Sequence, residues 1–387
     1  MEECRLNLVV FMREYPVGMA GTKRIQNFLD YLILQNISIQ VISFRSQTRQ
    51  PSVKGEYNTI PYLNISPGLE FKLSQLHKII AYYFIGFKAI VHLRKKGFVN
   101  ITYNSGGLNI ENLFFILWSK ILRYRLILAI EEDYGFFNDE IKLISKFKCW
   151  TIRKLDFLNC RLADAIVVIS FYLQKKYIKL KAKKVLLIPV TAKLNFNKDK
   201  NSFNDPLQVI YAGSFADKDG VNDIIEGFLA FNRVHENARL ILTGKSSQKS
   251  VYENKYRSNG NIVFKGFLED KEFYSLLRSA DVLCMCRTES GFANAGFPFK
   301  LGEYLATGNP VICTRVSDIE TYLDEQDAFL IDPGNPGQIC ESLNSILADQ
   351  VVARKIGLNG LEKCRRFFSP EVNGRLLLEL MVMVSNK

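Results

Sequence analysis

Strand-length apolar runs alternate with helix-period segments along this 387-residue chain. Leu6 to Met12 is the first run; Pro16-Val17-Gly18-Met19-Ala20-Gly21 follows, then a helical pattern over Lys23 to Leu34 and a strand from Ile37 to Phe44. A strand, a crossover helix and a second parallel strand return the chain to one sheet with helices on its faces. The pattern continues with strands at Phe98 to Tyr103, Arg125 to Ile130, Ala163 to Ile169 and Val185 to Val190. Helices are expected over Leu69 to Lys96, Asn112 to Leu122 and Ile141 to Arg161, with Ser170 placed to cap the helix after its strand. Pro51 to Ser66 reads as loop and Lys175 to Lys184 as a basic surface segment.

The alternation then starts again. Thr191 to Pro206 is rich in Asn, Lys and Asp and reads as a linker. Beyond it come strands at Leu207 to Tyr211, Arg239 to Thr243, Ile262 to Phe264 and Asp281 to Cys286, and helices at Val221 to Asn232, Lys271 to Ser279, Val351 to Phe368 and Val372 to Val384. A chain this long exceeds one typical core. The predicted fold class is therefore α/β, with two Rossmann-like, doubly wound domains: residues 1–190, a linker over 191–206, residues 207–368, and a last helical segment over 369–387.

The most informative stretch runs from Ala295 to Ile312. A loop containing Gly296, Phe297 and Pro298 leads into a helix that carries Lys300 and Glu303; the helix stops at Gly308 and Pro310 opens an apolar strand. Free N–H groups at a helix start suit phosphate, and a carboxylate one turn in accepts from hydroxyls. A nucleotide-sugar meets both requirements. A second glycine loop, Gly18 to Gly21, follows the first strand, where doubly wound sheets bind ligands; its spacing is not that of a dinucleotide fingerprint.

Two acidic groups need weighing. Asp217-Lys218-Asp219 has the D-x-D form that can hold a divalent ion on a diphosphate, but one lysine neutralises phosphate without a metal; the role goes to Lys218 and no metal is predicted. Glu131-Glu132-Asp133 stands at the end of a buried strand, either as solvated loop charge or in position to act.

Charge is unevenly shared. Through Leu187 there are 28 Lys and Arg against 14 Asp and Glu; beyond it, 23 against 25. A basic first half suits an anionic membrane surface, an acidic lipid-linked substrate or nucleic acid, or is simply a solvated face. Nucleic acid is not expected, since no zinc-finger or ribonucleoprotein motif is found. The eight cysteines are scattered and read as reduced core thiols of a cytoplasmic protein. Glu2 and Glu3 before the first apolar run are the wrong order for a secretory signal. Leu76 to Leu93, interrupted by His77, Lys78, Lys88 and His92, reads as a buried or interfacial helix, so attachment to a membrane's inner face is expected to be peripheral.

The segment Phe297 to Ile312 resembles the Pro-x-Lys…Glu-Tyr-x-Ala-x-Gly-x-Pro-Val signature of family 4 glycosyltransferases of the GT-B fold. Tyr211-Ala212-Gly213 leading to Lys218 and Gly220, Leu242-Thr243-Gly244, Ala163-Asp164-Ala165 with Ser170, and Ala280-Asp281-Val282 match in the same order. The resemblance implies two domains facing a cleft, a last helix crossing back to the first domain, and retaining, metal-independent sugar transfer from a nucleotide-sugar, UDP-sugar foremost, to a glycan or lipid-linked acceptor. Such transfer would serve surface polysaccharide or glycolipid assembly.

It also implies site residues. Gly21, Gly213, Gly266, Gly296, Phe297, Pro298 and Glu303 would bind donor, Glu303 through the ribose. Beside the resemblance, the need for a cation where the diphosphate develops charge assigns that role to Lys300 with Lys218, and Asp133 is expected to position the acceptor. The family's first carboxylate falls on Ala295, with Glu289 as its stand-in; its phosphate-loop arginine falls on Ser214, and its N-domain histidine is absent. These departures leave room for a non-catalytic GT-B partner subunit, and the shared fold leaves room for a sugar-nucleotide 2-epimerase.

Overall fold

The computed structural model describes residues 5–18, 20–45, 54–65, 76–108, 112–136, 142–194, 202–244 and 249–386. The chain divides into two compact units, Met1–Thr191 with Pro370–Lys387, and Ala192–Ser369.

The first unit begins with β1 (Leu6–Glu14), α1 (Ala20–Leu34), β2 (Ser38–Arg45), β3 (Lys54–Tyr57) and β4 (Ile60–Asn64). It continues with α2 (Leu76–Leu93), β5 (Val99–Ser105), α3 (Leu113–Ile121), β6 (Arg125–Ile130), α4 (Lys142–Leu162), β7 (Ala165–Val168), α5 (Phe171–Lys179) and β8 (Val185–Leu187). Its eight strands lie in the order β3-β4-β2-β1-β5-β6-β7-β8, and every pairing is parallel except β3 with β4. Central β1 is buried at every position but Arg13, as a strand covered on both faces must be. One face packs on α1 through Leu8, Val10, Ile25 and Phe28; the other packs on α2 and α3 through Val9, Phe11, Tyr83 and Phe115.

Lys54 to Asn64, expected as loop, is instead the β3–β4 hairpin. Asn58 and Thr59 both take positive φ, 49° and 65°, in a two-residue turn whose twist matches the flanking strands. Asn-Thr is a weaker turn signal than Asn-Gly, which is why the sequence concealed it. Part of the expected basic surface segment is helix α5, started by the Ser170 hydroxyl accepting from Leu173 N–H.

The second unit holds β9 (Gln208–Ala212), α6 (Val221–Asn232), β10 (Arg239–Thr243), α7 (Lys249–Tyr256), β11 (Ile262–Gly266), α8 (Asp270–Ser279) and β12 (Val282–Met285). After these come α9 (Gly291–Ala295), α10 (Phe299–Leu305), β13 (Val311–Thr314), α11 (Ile319–Tyr322), β14 (Phe329–Ile331), α12 (Pro336–Ala348) and α13 (Gln350–Phe367). The six strands are parallel in the order β11-β10-β9-β12-β13-β14. The order reverses between β9 and β12, and such a switch point opens a crevice at the strands' carboxyl ends.

The closing helix α14 (Pro370–Ser385) packs in the first unit against α1. Leu377, Leu380, Met381 and Val384 join that core, each such burial contributing about 1.5–3 kcal/mol. Gly374 leaves room for the Tyr31 ring, and the Asn373 amide donates to Val190 O at 3.1 Å. Among the described residues no helix is long and apolar enough to cross a membrane.

Candidate functional site

At the switch point of the second unit, β9 runs out into Gly213 and β12 into Cys286 and Arg287. Helix α10 is fastened above by Tyr304, whose hydroxyl accepts from Ala212 N–H at 2.7 Å and donates to Ala212 O at 3.1 Å. Residues four apart share one helix face, so this bolt brings Lys300 over Gly213. The Glu-Tyr pair of the sequence signature thus has a division of labour: Tyr304 positions the helix, and Glu303 is half-buried on its flank, accepting from the Tyr274 hydroxyl at 3.4 Å.

Lys300 donates to Asp219 Oδ1 at 2.6 Å and to the Tyr211 hydroxyl at 3.0 Å, with its Nζ 4.7 Å from the Tyr211 ring centroid. The Ser214 hydroxyl donates to the second Asp219 oxygen, and Tyr211 donates to Ser214 O. Burial draws the Lys300 ammonium below the usual lysine range; Asp219 opposes this, while Arg287 and Lys218 add to it. Burial by itself would raise the Asp219 carboxyl, but Lys300, the Ser214 hydroxyl and Lys218 outweigh it and hold the group below the usual carboxylate range. Lys300 and Lys218 both act on Asp219, and Arg287 acts on Lys300, so positive charge exceeds negative here and favours a further anion. Lys218 lies on the loop's far side, its Nζ 4.7 Å from the Phe292 ring centroid and its carbonyl accepting from Thr288 N–H.

Three glycines line the same edge. Gly213 N–H donates to Thr243 O at 2.9 Å, and Gly244 N–H to Gly266 O at 2.8 Å. A Cβ on Gly244 would meet Gly213 O at 1.8 Å, so these backbones touch where no side chain fits. Gly266 has φ 76°, and the Phe267 that follows is an exposed aromatic ring.

Other expected residues are placed differently. Ser290 caps the short helix α9, an element hidden in the sequence by its length, and Ala295 in that helix is fully buried. Glu289 precedes the cap and is exposed. Phe297 is turned inward against Tyr322 and Phe368, at 5.5 and 5.7 Å between ring centroids, with Gly296 and Pro298 also buried. Helix α10 has only seven residues, so Lys300, more than a summed helix dipole, supplies the positive charge.

In the first unit Gly21 sits at the start of α1, where a Cβ would lie 3.1 Å from Glu131 Oε2. Glu131 pairs at 2.9 Å with Arg24, which also donates to Ile188 O at 2.6 Å. Asp133 is buried and accepts from Lys176 at 2.8 Å, Tyr172 at 3.2 Å and Gly135 N–H at 3.0 Å. Lys176 also pairs with Asp156 at 2.7 Å. Burial lowers the Lys176 pKa, but the two carboxylates outweigh that and hold it above the usual lysine range. The sequence analysis gave Asp219 no role and did not single out Arg24 or Arg287; a lone charged residue beside an apolar run was the available signal.

Residues 193–363 match the model of the glycosyl transferases group 1 family. Among curated relatives, the chain is 24% identical over 174 residues to the capsular polysaccharide biosynthesis glycosyltransferase CapM of Staphylococcus aureus, 44% of each protein. It is 24% identical over 233 residues to the uncharacterized glycosyltransferase YqgM of Bacillus subtilis, 58% of this chain and 62% of that one. The matched segments thus span about half the length of these curated relatives. Solved structures share the whole fold: a sucrose-phosphate synthase from Thermosynechococcus elongatus superposes with TM-score 0.72 at 17% identity, covering 98% of this chain and 99% of that one. Anabaena HepE in complex with UDP-glucose gives TM-score 0.71 at 14% identity, covering 98% and 100%. The segment that matches the family model thus falls within the second unit of a GT-B fold.

Proposed function

We propose that the protein transfers a sugar from a nucleoside diphosphate sugar to an acceptor hydroxyl, with retention and without a metal. The single observation that carries this reading is Lys300, held at the switch point by Asp219 and Tyr211 with Lys218 and Arg287 nearby. Cleaving the donor releases a diphosphate, and a preorganised cation where that charge develops is the largest electrostatic contribution available. The incoming phosphate takes over Lys300 Nζ from Asp219, Glu303 accepts from the ribose hydroxyls, and the glycine edge lets the pyrophosphate approach backbone. Phe267 offers a face to the base. UDP is the donor nucleotide we favour, because related GT-B structures were solved with UDP-glucose or with UDP and GlcNAc.

The acceptor is a growing surface glycan or a lipid-linked sugar, a reading supported by the likeness to CapM and the basic first unit. That acceptor places the protein at a membrane's cytoplasmic face. The test is thermal shift against UDP-glucose, UDP-GlcNAc and GDP-mannose, followed by UDP release with and without acceptor. A donor at a hundred times its Kd stabilises the fold by about 2.7 kcal/mol. A shift without acceptor-dependent UDP release would leave a binding subunit instead.

A further inference from the structure

Helices α2 and α3 lie side by side on one face of the first sheet, joined by the stacked rings of Tyr83 with Phe114 and by Phe87 with Trp118, at 4.3 and 4.2 Å between centroids. Their inner residues form the core there, yet their outer residues are apolar as well. Ile80, Phe84 and Val91 make a stripe along α2, and Leu113, Leu117 and Ile121 make one along α3; Phe84 is 56% exposed and Ile121 63%. Both helices bury their opposite sides on the same sheet, so the stripes face outward together. A solvent-facing helix surface normally carries polar side chains, and a contiguous apolar patch marks a place where something binds.

The charge around the stripes has one sign. Residues 76–98 and 112–130 contain eight Lys and Arg and no Asp or Glu. Both helices return the chain to the sheet's amino-terminal edge, where β5 and β6 begin, so Arg94 and Lys96 after one helix share that edge with Arg123 and Arg125 after the other. There Lys120, Arg123 and Arg125, with Tyr124 and Asp164, line a cavity of about 400 Å³. Its one acid, Asp164, is already ion-paired with Lys120 and Lys183, at 3.3 Å each.

We propose that this face docks on an anionic lipid bilayer, the two stripes entering the acyl boundary and the cationic edge receiving lipid phosphates. A second copy of the chain is a poorer occupant, because two-fold pairing of this face would oppose like charges. The inference deepens the membrane-side acceptor reading and rests on it for its purpose, although binding is measured without turnover.

The test sediments the full chain with phosphatidylcholine vesicles and with vesicles enriched in phosphatidylglycerol. The wild type is expected to pellet with the anionic vesicles alone, less so as salt rises. Reversing Arg94, Lys96 and Arg123 to Glu is expected to weaken that partition by roughly a hundredfold. Phe84→Glu with Leu117→Glu is expected to abolish it while the melting temperature holds; Phe84→Ser is the milder variant if that pair fails to fold. Absence of wild-type binding to anionic vesicles, or apolar-stripe variants that pellet like wild type, would overturn the proposal. So would a concentration-dependent dimer dissolved by Phe84→Glu, which gives the face to a second copy. A UDP-glucose melting shift on the same samples reads the donor site separately, so loss of one reading leaves the other standing.

Discussion

A Cβ built on Gly213 would stand 2.2 Å from Lys300 Cε and 2.6 Å from its Nζ. The glycine is thus the space in which the lysine reaches Asp219. Because the obstacle is the far end of a flexible side chain, Gly213→Ala is expected to displace Lys300 and spare the fold. Sugar transfer should fall by roughly two to three orders of magnitude, the usual loss when one preorganised donor is removed. Lys300→Ala should fall as far, and steady-state UDP release from both variants is the check. Near-normal turnover in either would remove Lys300 from the site.

Gly244 presents the opposite case. Its Cβ would meet the backbone oxygen of Gly213 at 1.8 Å, and its φ of 142° lies where only glycine is at ease. Backbone cannot step aside as a lysine can. Gly244→Ala is expected to cost about 3 kcal/mol or more, lowering the melting temperature of the second unit by roughly 6–12 °C in calorimetry. A melting temperature equal to wild type would show that the strand ends repack freely.

These two glycines also mark how far the sequence was legible. The βα alternation, the strand after each helix and the Lys300–Tyr304 segment could be read because period and punctuation are local properties. The partner of Lys300 could not be, since Asp219 lies 81 residues away and meets it only once Tyr304 has fastened α10 to β9. Phe297 looked like part of a ligand loop because its neighbours are Gly296 and Pro298, yet its ring completes an aromatic cluster with Tyr322 and Phe368. Hairpin β3–β4 and the five-residue helix α9 were missed because each is too short to show a period.

The Lys300–Asp219 pair is expected to be coupled. Lys300 is 17% exposed and Asp219 6%, so removing the lysine alone strands a buried carboxylate at a cost of about 3 kcal/mol. Lys300→Met combined with Asp219→Asn should recover much of that loss, a coupling read from urea denaturation of the four proteins. The pH dependence has a definite sign. Asp219 has a depressed folded-state pKa, so its contribution is complete above the unfolded value near 4 and lost as pH falls through the lower folded value. Lys300, lowered by burial, works the other way: its burden eases as pH rises from the folded value toward the unfolded one. The stability advantage of wild type over Asp219→Asn should therefore be largest near neutral pH and shrink in acid. An advantage that grew in acid would contradict the assignment.

In the first unit, Arg24 does for α1 what Tyr304 does for α10. Its side chain is fully buried, donates to Glu131 at 2.9 Å and to Ile188 O, and lies 5.1 Å from the Phe28 ring centroid. That ties the start of α1 to the ends of two strands and sets where Gly21 stands against Glu131. Arg24→Ala should destabilise by about 3–5 kcal/mol, because Glu131 loses its partner and a large cavity opens. Glu131→Gln keeps a hydrogen-bond acceptor for the guanidinium and should cost no more than about half as much. The two variants, compared by chemical denaturation and by UDP release, separate scaffold from chemistry. If Glu131 serves only to fix Arg24, transfer by Glu131→Gln will track its modest loss of stability; transfer lost from a protein that melts like wild type would place Glu131 against the acceptor instead.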